Sequence, residues 1–258
     1  MLADTKPLDY EAALCDENWK EAILDELNSI EKNQTWDLVK LPDGNKAIDV
    51  KWVFKLKLNP KGKIVKHKAR LVARGFLQKE GFDYTEVFSP VARHETIGFV
   101  IVVATSKAWP LYHLDVKSAF LNGTLEETVY VTQPPGFIIK GKEDRVFKLN
   151  KALYGLKHTP RACNKRIDKF FIEQGFKKCL VEHAVYVKGR KETSLLIICL
   201  FVDDLMLTGS NTQDIEEFKS VMKSEMTDLG KLSYFLGMEI LRTSKGLILI
   251  KPNMLLRS

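Results

Sequence analysis

Eight apolar residues, Leu195–Val202, run into two adjacent aspartates, Asp203 and Asp204, and Leu205, Met206 and Leu207 then resume the apolar pattern. A Leu- and Ile-rich strand that halts at paired carboxylates and restarts apolar predicts a buried β-hairpin carrying both acids at its tip. Two-residue hairpin turns favour Asn-Gly or Asp-Gly because positive φ is needed, so Asp-Asp is a poor turn unless the carboxylates serve something else. A third acid ends another short β-like segment, Tyr112-His113-Leu114-Asp115-Val116, which follows the turn signal Trp109-Pro110. Three acids from two strand ends can hold two Mg²⁺ ions roughly 3.5–4 Å apart, the arrangement that clamps the attacking and leaving oxygens in phosphoryl transfer. The chemistry this suggests is nucleotidyl transfer.

The charge distribution points to a polyanionic partner. The 258 residues carry a net +7. Between Lys51 and Lys79 there are ten Lys or Arg residues and no Asp or Glu, so the rest of the chain is net acidic. With 45% hydrophobic residues the chain can bury a substantial core, in one large domain or two small ones. Cys15, Cys163, Cys179 and Cys199 show no CxxC spacing, and no apolar leader precedes them, which predicts reduced thiols in a soluble, intracellular protein. The longest apolar run falls far short of the roughly 20 residues of a membrane span. His67, His94, His113 and His183 have no metal-ligand spacing, and neither a GxSxG elbow nor a P-loop occurs, so hydrolase and ATPase chemistries have no anchor.

Local patterns supply further elements. Asp16 can cap a helix with Trp19, Ile23, Leu27 and Ile30 on one side. Trp52, Phe54, Leu56 and Leu58 alternate with Lys51, Lys55 and Lys57, which predicts a strand with an apolar and a cationic face. Asn59-Pro60-Lys61-Gly62 supplies a turn, and 64–72 the return strand. Residues 160–176 place Cys163, Ile167, Phe170 and Phe171 on one helical side; Asn211 can cap a second helix with Ile215, Phe218, Met222 and Met226 inward. From Tyr112 onward the order is strand, helix, strand, aspartate hairpin, helix, strand, which approximates a split β-α-β arrangement.

Several boxes resemble one family. Phe201-Val202-Asp203-Asp204 resembles the YVDD box of reverse transcriptases, and 114–123, Leu-Asp-Val-Lys-Ser-Ala-Phe-Leu-Asn-Gly, is similar to the first aspartate motif of copia-type retrotransposon polymerases. The segments at 68–76, 87–93, 152–157, 228–230 and 234–240 resemble further boxes of that family in family order. The resemblance implies an α+β right-hand polymerase fold with fingers and palm, the palm of split β-α-β, ferredoxin-like type. It implies a single domain with a helical lead-in over about 1–44, fingers with the basic hairpin over about 45–110, a palm with some fingers residues over about 111–240, and at 241–258 the truncated start of a thumb or connection. RNase H, protease and integrase, which the parent polyprotein would carry, are expected to be absent.

The resemblance also implies roles. Asp115, Asp203 and Asp204 would be the catalytic metal ligands for two Mg²⁺ ions, for which Mn²⁺ can substitute. Lys68, Arg70, Phe120, Tyr154, Gly155 and Lys157 would bind the incoming dNTP, Phe120 as the steric gate against a 2′-hydroxyl. Tyr234, Phe235, Leu236 and Gly237 would form the primer grip, while Lys51, Lys55, Lys57 and Arg74 would contact the nucleic-acid backbone of an RNA or DNA template-primer. His158 and Cys163 stand where the family usually has Gln and Trp, which alters the pocket expected beside the nucleotide. The implied setting is cytoplasmic, in a virus-like particle, or nuclear. Two readings stay open: an RNA-directed DNA polymerase domain, and a catalytically inactive transposon remnant that at most binds nucleic acid.

Overall fold

A computed structural model describes residues 6–59, 62–117, 121, 123–189, 194–243 and 246–250, with the backbone alone over 241–243 and 246–250. In chain order the elements are α1 (Tyr10–Leu14), α2 (Glu17–Lys32), β1 (Trp36–Lys40), β2 (Ala47–Ile48), β3 (Val50–Leu58), β4 (Ile64–Ala73) and α3 (His94–Ser106). There follow β5 (Leu111–Val116), β6 (Thr124–Val131), β7 (Arg145–Lys151), α4 (Thr159–Glu173), β8 (Lys177–Lys178), β9 (Val185–Lys188), β10 (Leu196–Phe201) and β11 (Asp204–Gly209). The chain closes with α5 (Thr212–Met222), β12 (Met226–Lys231), β13 (Tyr234–Phe235), β14 (Met238–Thr243) and β15 (Gly246–Ile250). The chain divides into two compact units, one built from 1–89 and 118–166 and the other from 90–117 and 167–258.

In the first unit Asp16 caps α2 as expected, accepting from Asn18 N–H at 2.8 Å. The helix buries Trp19, Ile23 and Ile30. Trp19 meets Phe54 of β3 edge-on at 5.4 Å and His67 of β4 at 4.6 Å, so α2 covers the apolar face of the hairpin. Truncating a tryptophan this buried costs about 3–5 kcal/mol. The β3–β4 register sets Lys51 opposite Val72, Val53 opposite Arg70, Lys55 opposite Lys68 and Lys57 opposite Lys66. Residues directly opposite share a face, so Lys51, Lys55, Lys57, Lys66, Lys68 and Arg70 all stand on the side away from Trp52 and Phe54. A second sheet of this unit has the order β1-β7-β6-β2, with Trp36 stacked on Phe147 at 4.1 Å.

The second unit is built on a six-stranded sheet in the order β12-β5-β11-β10-β9-β8. Phe171 of α4 packs on Tyr186 of β9 at 4.8 Å, and Phe218 of α5 lies 5.1 Å from Phe176. A separate core joins Ile97, Val100, Ile101 and Ala104 of α3 to Leu111, Val185, Cys199, Met206 and Phe235. Tyr186 is buried and donates its hydroxyl to Asp168 at 2.8 Å. Asn211 caps α5 through Gln213 N–H at 2.8 Å. Met226, which the helical period placed on that helix, is instead the first residue of β12, because α5 ends at Met222 with Lys223 at its C-cap.

Candidate active site

The acids gather at one end of the sheet in the second unit. In the β10–β11 hairpin Phe201 pairs with Asp204, leaving Val202 and Asp203 as the two-residue turn. Only Asp203 therefore occupies the tip; Asp204 begins β11, which corrects the expectation that both acids form the turn. The left-handed conformation that such turns need falls on Val202, at φ 59°, a strained value for a β-branched residue. Asp204 is the direct cross-strand partner of Asp115 on β5. One residue further on, Val116 N–H donates to the Asp203 carbonyl at 2.9 Å. Directly opposed residues of an antiparallel pair have Cβ atoms about 4.5–5.5 Å apart, so Asp115 and Asp204 project from neighbouring positions on one face.

The side chain of Asp204 is committed to a partner. Its Oδ1 lies 2.8 Å from Nε2 of His113, and since a carboxylate only accepts, the imidazole N–H donates. The His113 ring stands edge-on to Phe235 at 5.2 Å. Among the described residues no three His, Cys, Asp or Glu side chains converge closely enough to hold a metal as they stand. The donor set nevertheless suits a hard divalent cation, because carboxylate oxygens are the ligands that Mg²⁺ and Mn²⁺ prefer.

The segment expected to grip a primer forms the β13–β14 hairpin. Phe235 pairs with Met238, and the two turn residues Leu236 (φ 50°) and Gly237 (φ 81°) both take the left-handed conformation, the signature of a tight primed turn. Tyr234 is exposed and Phe235 is buried.

The remaining expected residues that the structure describes lie in the first unit, and it brings several of them together. The Arg70 guanidinium sits 4.9 Å over the Tyr154 ring, with its Nε buried and without a hydrogen-bond partner. Ala73 N–H donates to the Tyr154 carbonyl at 2.7 Å, and Gly155, at φ 91°, passes so close to Ala73 that a Cβ would meet its carbonyl oxygen. Lys157 is engaged locally: its Nζ donates to the Gln78 carbonyl at 3.1 Å and its backbone N–H to the Gln78 side chain at 2.8 Å. Lys51, Lys55, Lys57 and Arg74 are exposed. Phe120 lies outside the described residues.

His158, the departure from the family pattern, is 3% exposed. Its Nδ1 is 3.5 Å from the Gln78 amide and its Nε2 is 3.9 Å from Glu127. Burial pushes its imidazole below the ordinary histidine range, against the opposing pull of Glu127 and Asp83, so it stands neutral at pH 7. Cys163 is buried.

Two polar residues of these clusters carry no signal in the sequence. His113 sits inside a motif that draws attention to Asp115, and only the register reveals its bond to Asp204. Glu26, on the helix that covers the hairpin, accepts from Leu71 N–H at 3.3 Å; burial raises its carboxyl while that bond and the charges of Arg70 and Lys68 lower it.

A mixed α/β chain with acids at the end of an antiparallel sheet is what a nucleic-acid polymerase of this class presents. The chain belongs to the reverse transcriptase (RNA-dependent DNA polymerase) family, whose model matches residues 33–257. It is 42% identical, over 86% of its length, to the Retrovirus-related Pol polyprotein from transposon TNT 1-94 of Nicotiana tabacum. It is 38% identical, over 96% of its length, to that from transposon RE1 of Arabidopsis thaliana. The Transposon Ty1-MR1 Gag-Pol polyprotein of Saccharomyces cerevisiae is 31% identical over 87% of this chain. The chain spans 17% of each plant polyprotein and 13% of the yeast one. Among the described residues no helix is long and apolar enough to cross a membrane.

Proposed function

We propose that this chain is the RNA-directed DNA polymerase segment of a copia-type retrotransposon Pol polyprotein, transferring nucleotides from dNTP to a primer 3′-hydroxyl at a two-metal centre of Asp115, Asp203 and Asp204. The second unit then serves as the palm, its six-stranded sheet carrying the acids, and the first unit supplies the fingers. The observation that carries this reading is the register that sets Asp204 opposite Asp115, with the Asp203 carbonyl on Val116 N–H. Asp115, Asp203 and Asp204 would hold Mg²⁺ or Mn²⁺, whose charge would lower the pKa of the attacking hydroxyl and neutralise the departing pyrophosphate. The chain's own acids would hold and space that charge, while Lys68 and Arg70 provide cations for the triphosphate, Arg70 with its guanidinium 4.9 Å over the Tyr154 ring. The face bearing Lys51, Lys55 and Lys57 is suited to the phosphate backbone of a template-primer. Homologues of this segment are parts of Pol polyproteins, and we assign this one to such a parent, with RNase H, protease and integrase in other segments and action in a cytoplasmic particle.

The test is primer extension on a homopolymer template with Mg²⁺ or Mn²⁺. Asp203→Asn is expected to abolish extension and leave template-primer affinity nearly intact. Extension by the mutant at the wild-type rate refutes the assignment. A second reading, an inactive remnant that only binds nucleic acid, is favoured by His158 and Cys163 at the departures. Salt-sensitive binding with no metal-dependent extension by the wild type would establish it.

A further inference from the structure

We propose that His113 is a positioning residue for Asp204, holding that carboxylate through its imidazole N–H and tying it to the Tyr234–Phe235 strand. This rests on the polymerase reading above. β5 places His113 two residues before Asp115, hence on the same face of the strand, and Asp204 stands opposite Asp115; His113 and Asp204 are therefore a diagonal cross-strand pair. The 2.8 Å contact commits Oδ1 and leaves the other oxygen to a cation. The imidazole is held in turn: its ring packs perpendicular to that of Phe235, which is 1% exposed. His113 keeps 18% of its side chain accessible and Asp204 35%, so the pair is shielded without being sealed. A carboxylate that must share a small cation with neighbours gains from having its rotation removed beforehand, because the ordering is then not charged against metal binding. The same contact links the end of β13, on the segment that would grip a primer, to the acid pair.

The experiment is a titration of the full 258-residue chain with Mn²⁺ alone, following free Mn²⁺ by electron paramagnetic resonance, with thermal melts as a check on folding. His113→Gln keeps an N–H donor at similar reach and is expected to bind within about twofold of wild type, whereas His113→Leu keeps the bulk, loses the donor and weakens Mn²⁺ about 10-fold. In an Asp204→Asn background, His113→Leu is expected to add nothing further, since its effect passes through that carboxylate. Equal losses in Gln and Leu variants, or an undiminished loss in the Asp204→Asn background, would show that His113 acts only by packing and would overturn the proposal. So would a Leu variant that binds as wild type does. Asp115→Asn separates the two levels: if it leaves wild-type Mn²⁺ binding unchanged, the metal-centre reading fails and this proposal with it. If it weakens binding while His113→Leu does not, this proposal alone fails.

Discussion

Replacing Lys55 and Lys57 together by threonine should make the protein more stable and a poorer binder of nucleic acid. In the β3–β4 hairpin Lys57 stands directly opposite Lys66 and Lys55 directly opposite Lys68. Like charges at directly opposed positions destabilise a sheet by about 0.2–1 kcal/mol per pair. Lys68 is also attracted by Glu26, so the Lys57–Lys66 pair carries more of the repulsion. Threonine adds its preference for strands, and the double variant should gain about 0.5–1.5 kcal/mol at low salt, a rise of roughly 2–4 °C in Tm for each kcal/mol at this chain length. The gain should shrink as salt screens the repulsion. In binding the sign reverses. Each phosphate contact removed lowers the slope of log affinity against log salt by about 0.9 on a duplex, so the two lysines together account for just under 2. Fluorescence anisotropy with a labelled primer-template at about 50–200 mM salt reads the slope; circular dichroism melts over the same range read the stability. An unchanged slope with a raised Tm would mean that the cationic face is merely solvated. A lowered Tm would mean that these lysines are not opposed as the register has them.

Two further perturbations probe the frame that holds the site. Burial raises the Glu26 carboxyl in the folded state, so the fold takes up that proton more readily than the unfolded chain does; the stability involved is fully present below the ordinary carboxylate value and is lost as pH rises through the raised one. Glu26→Gln keeps an oxygen to accept from Leu71 N–H, and it should flatten the pH dependence of Tm over that range and leave stability at pH 7 equal or higher; a clear loss at pH 7 would contradict this. Gly155→Ala should cost roughly 2 kcal/mol or more, because a left-handed φ is combined with a Cβ driven against the Ala73 carbonyl, and Gly237→Ala should cost only the conformational part, since its Cβ meets nothing within 4 Å. Equal shifts of the denaturation midpoint in the two would refute the close approach.

Where the sequence was informative, local physics agreed with the final packing. Asp16 and the spacing of Trp19, Ile23 and Ile30 specify α2 from within their own segment, and the alternation from Lys51 to Lys57 specifies both faces of β3. The helix at His94–Ser106 had no such support: Thr96, Ile97, Val100, Ile101, Val102 and Val103 favour strands, and the helix forms because Ile97, Val100, Ile101 and Ala104 bury one stripe in a core made by distant strands. The pairing of Trp36–Lys40 with Arg145–Lys151 is equally non-local. In the site, the three acids were legible because charge is rare at the end of an apolar strand. The partner of Asp204 was not, since a histidine two residues from an aspartate says nothing until the register is known.

That register is itself a physical puzzle, because the strands involved give the hydrophobic pattern little purchase. Leu205 to Gly209 are buried throughout, so no alternation of polar and apolar residues tells β11 how to align with β5. A slip of one residue would set Asp204 opposite Leu114 or Val116 and turn every side chain of β11 to the other face. One group that opposes it is a buried hydroxyl: Thr208, 1% exposed, donates to the Pro110 carbonyl at 2.8 Å, next to its strand partner Leu111. Any slip removes that acceptor and strands a polar group in the core, at about 1–3 kcal/mol. The turn adds a second constraint, since the pairing of Phe201 with Asp204 leaves Val202 at positive φ, a strain that persists only where the flanking strands fix the loop length. The opposition of Asp204 and Asp115 thus depends on an uncharged residue four positions along the strand, and on a turn whose cost the sheet absorbs.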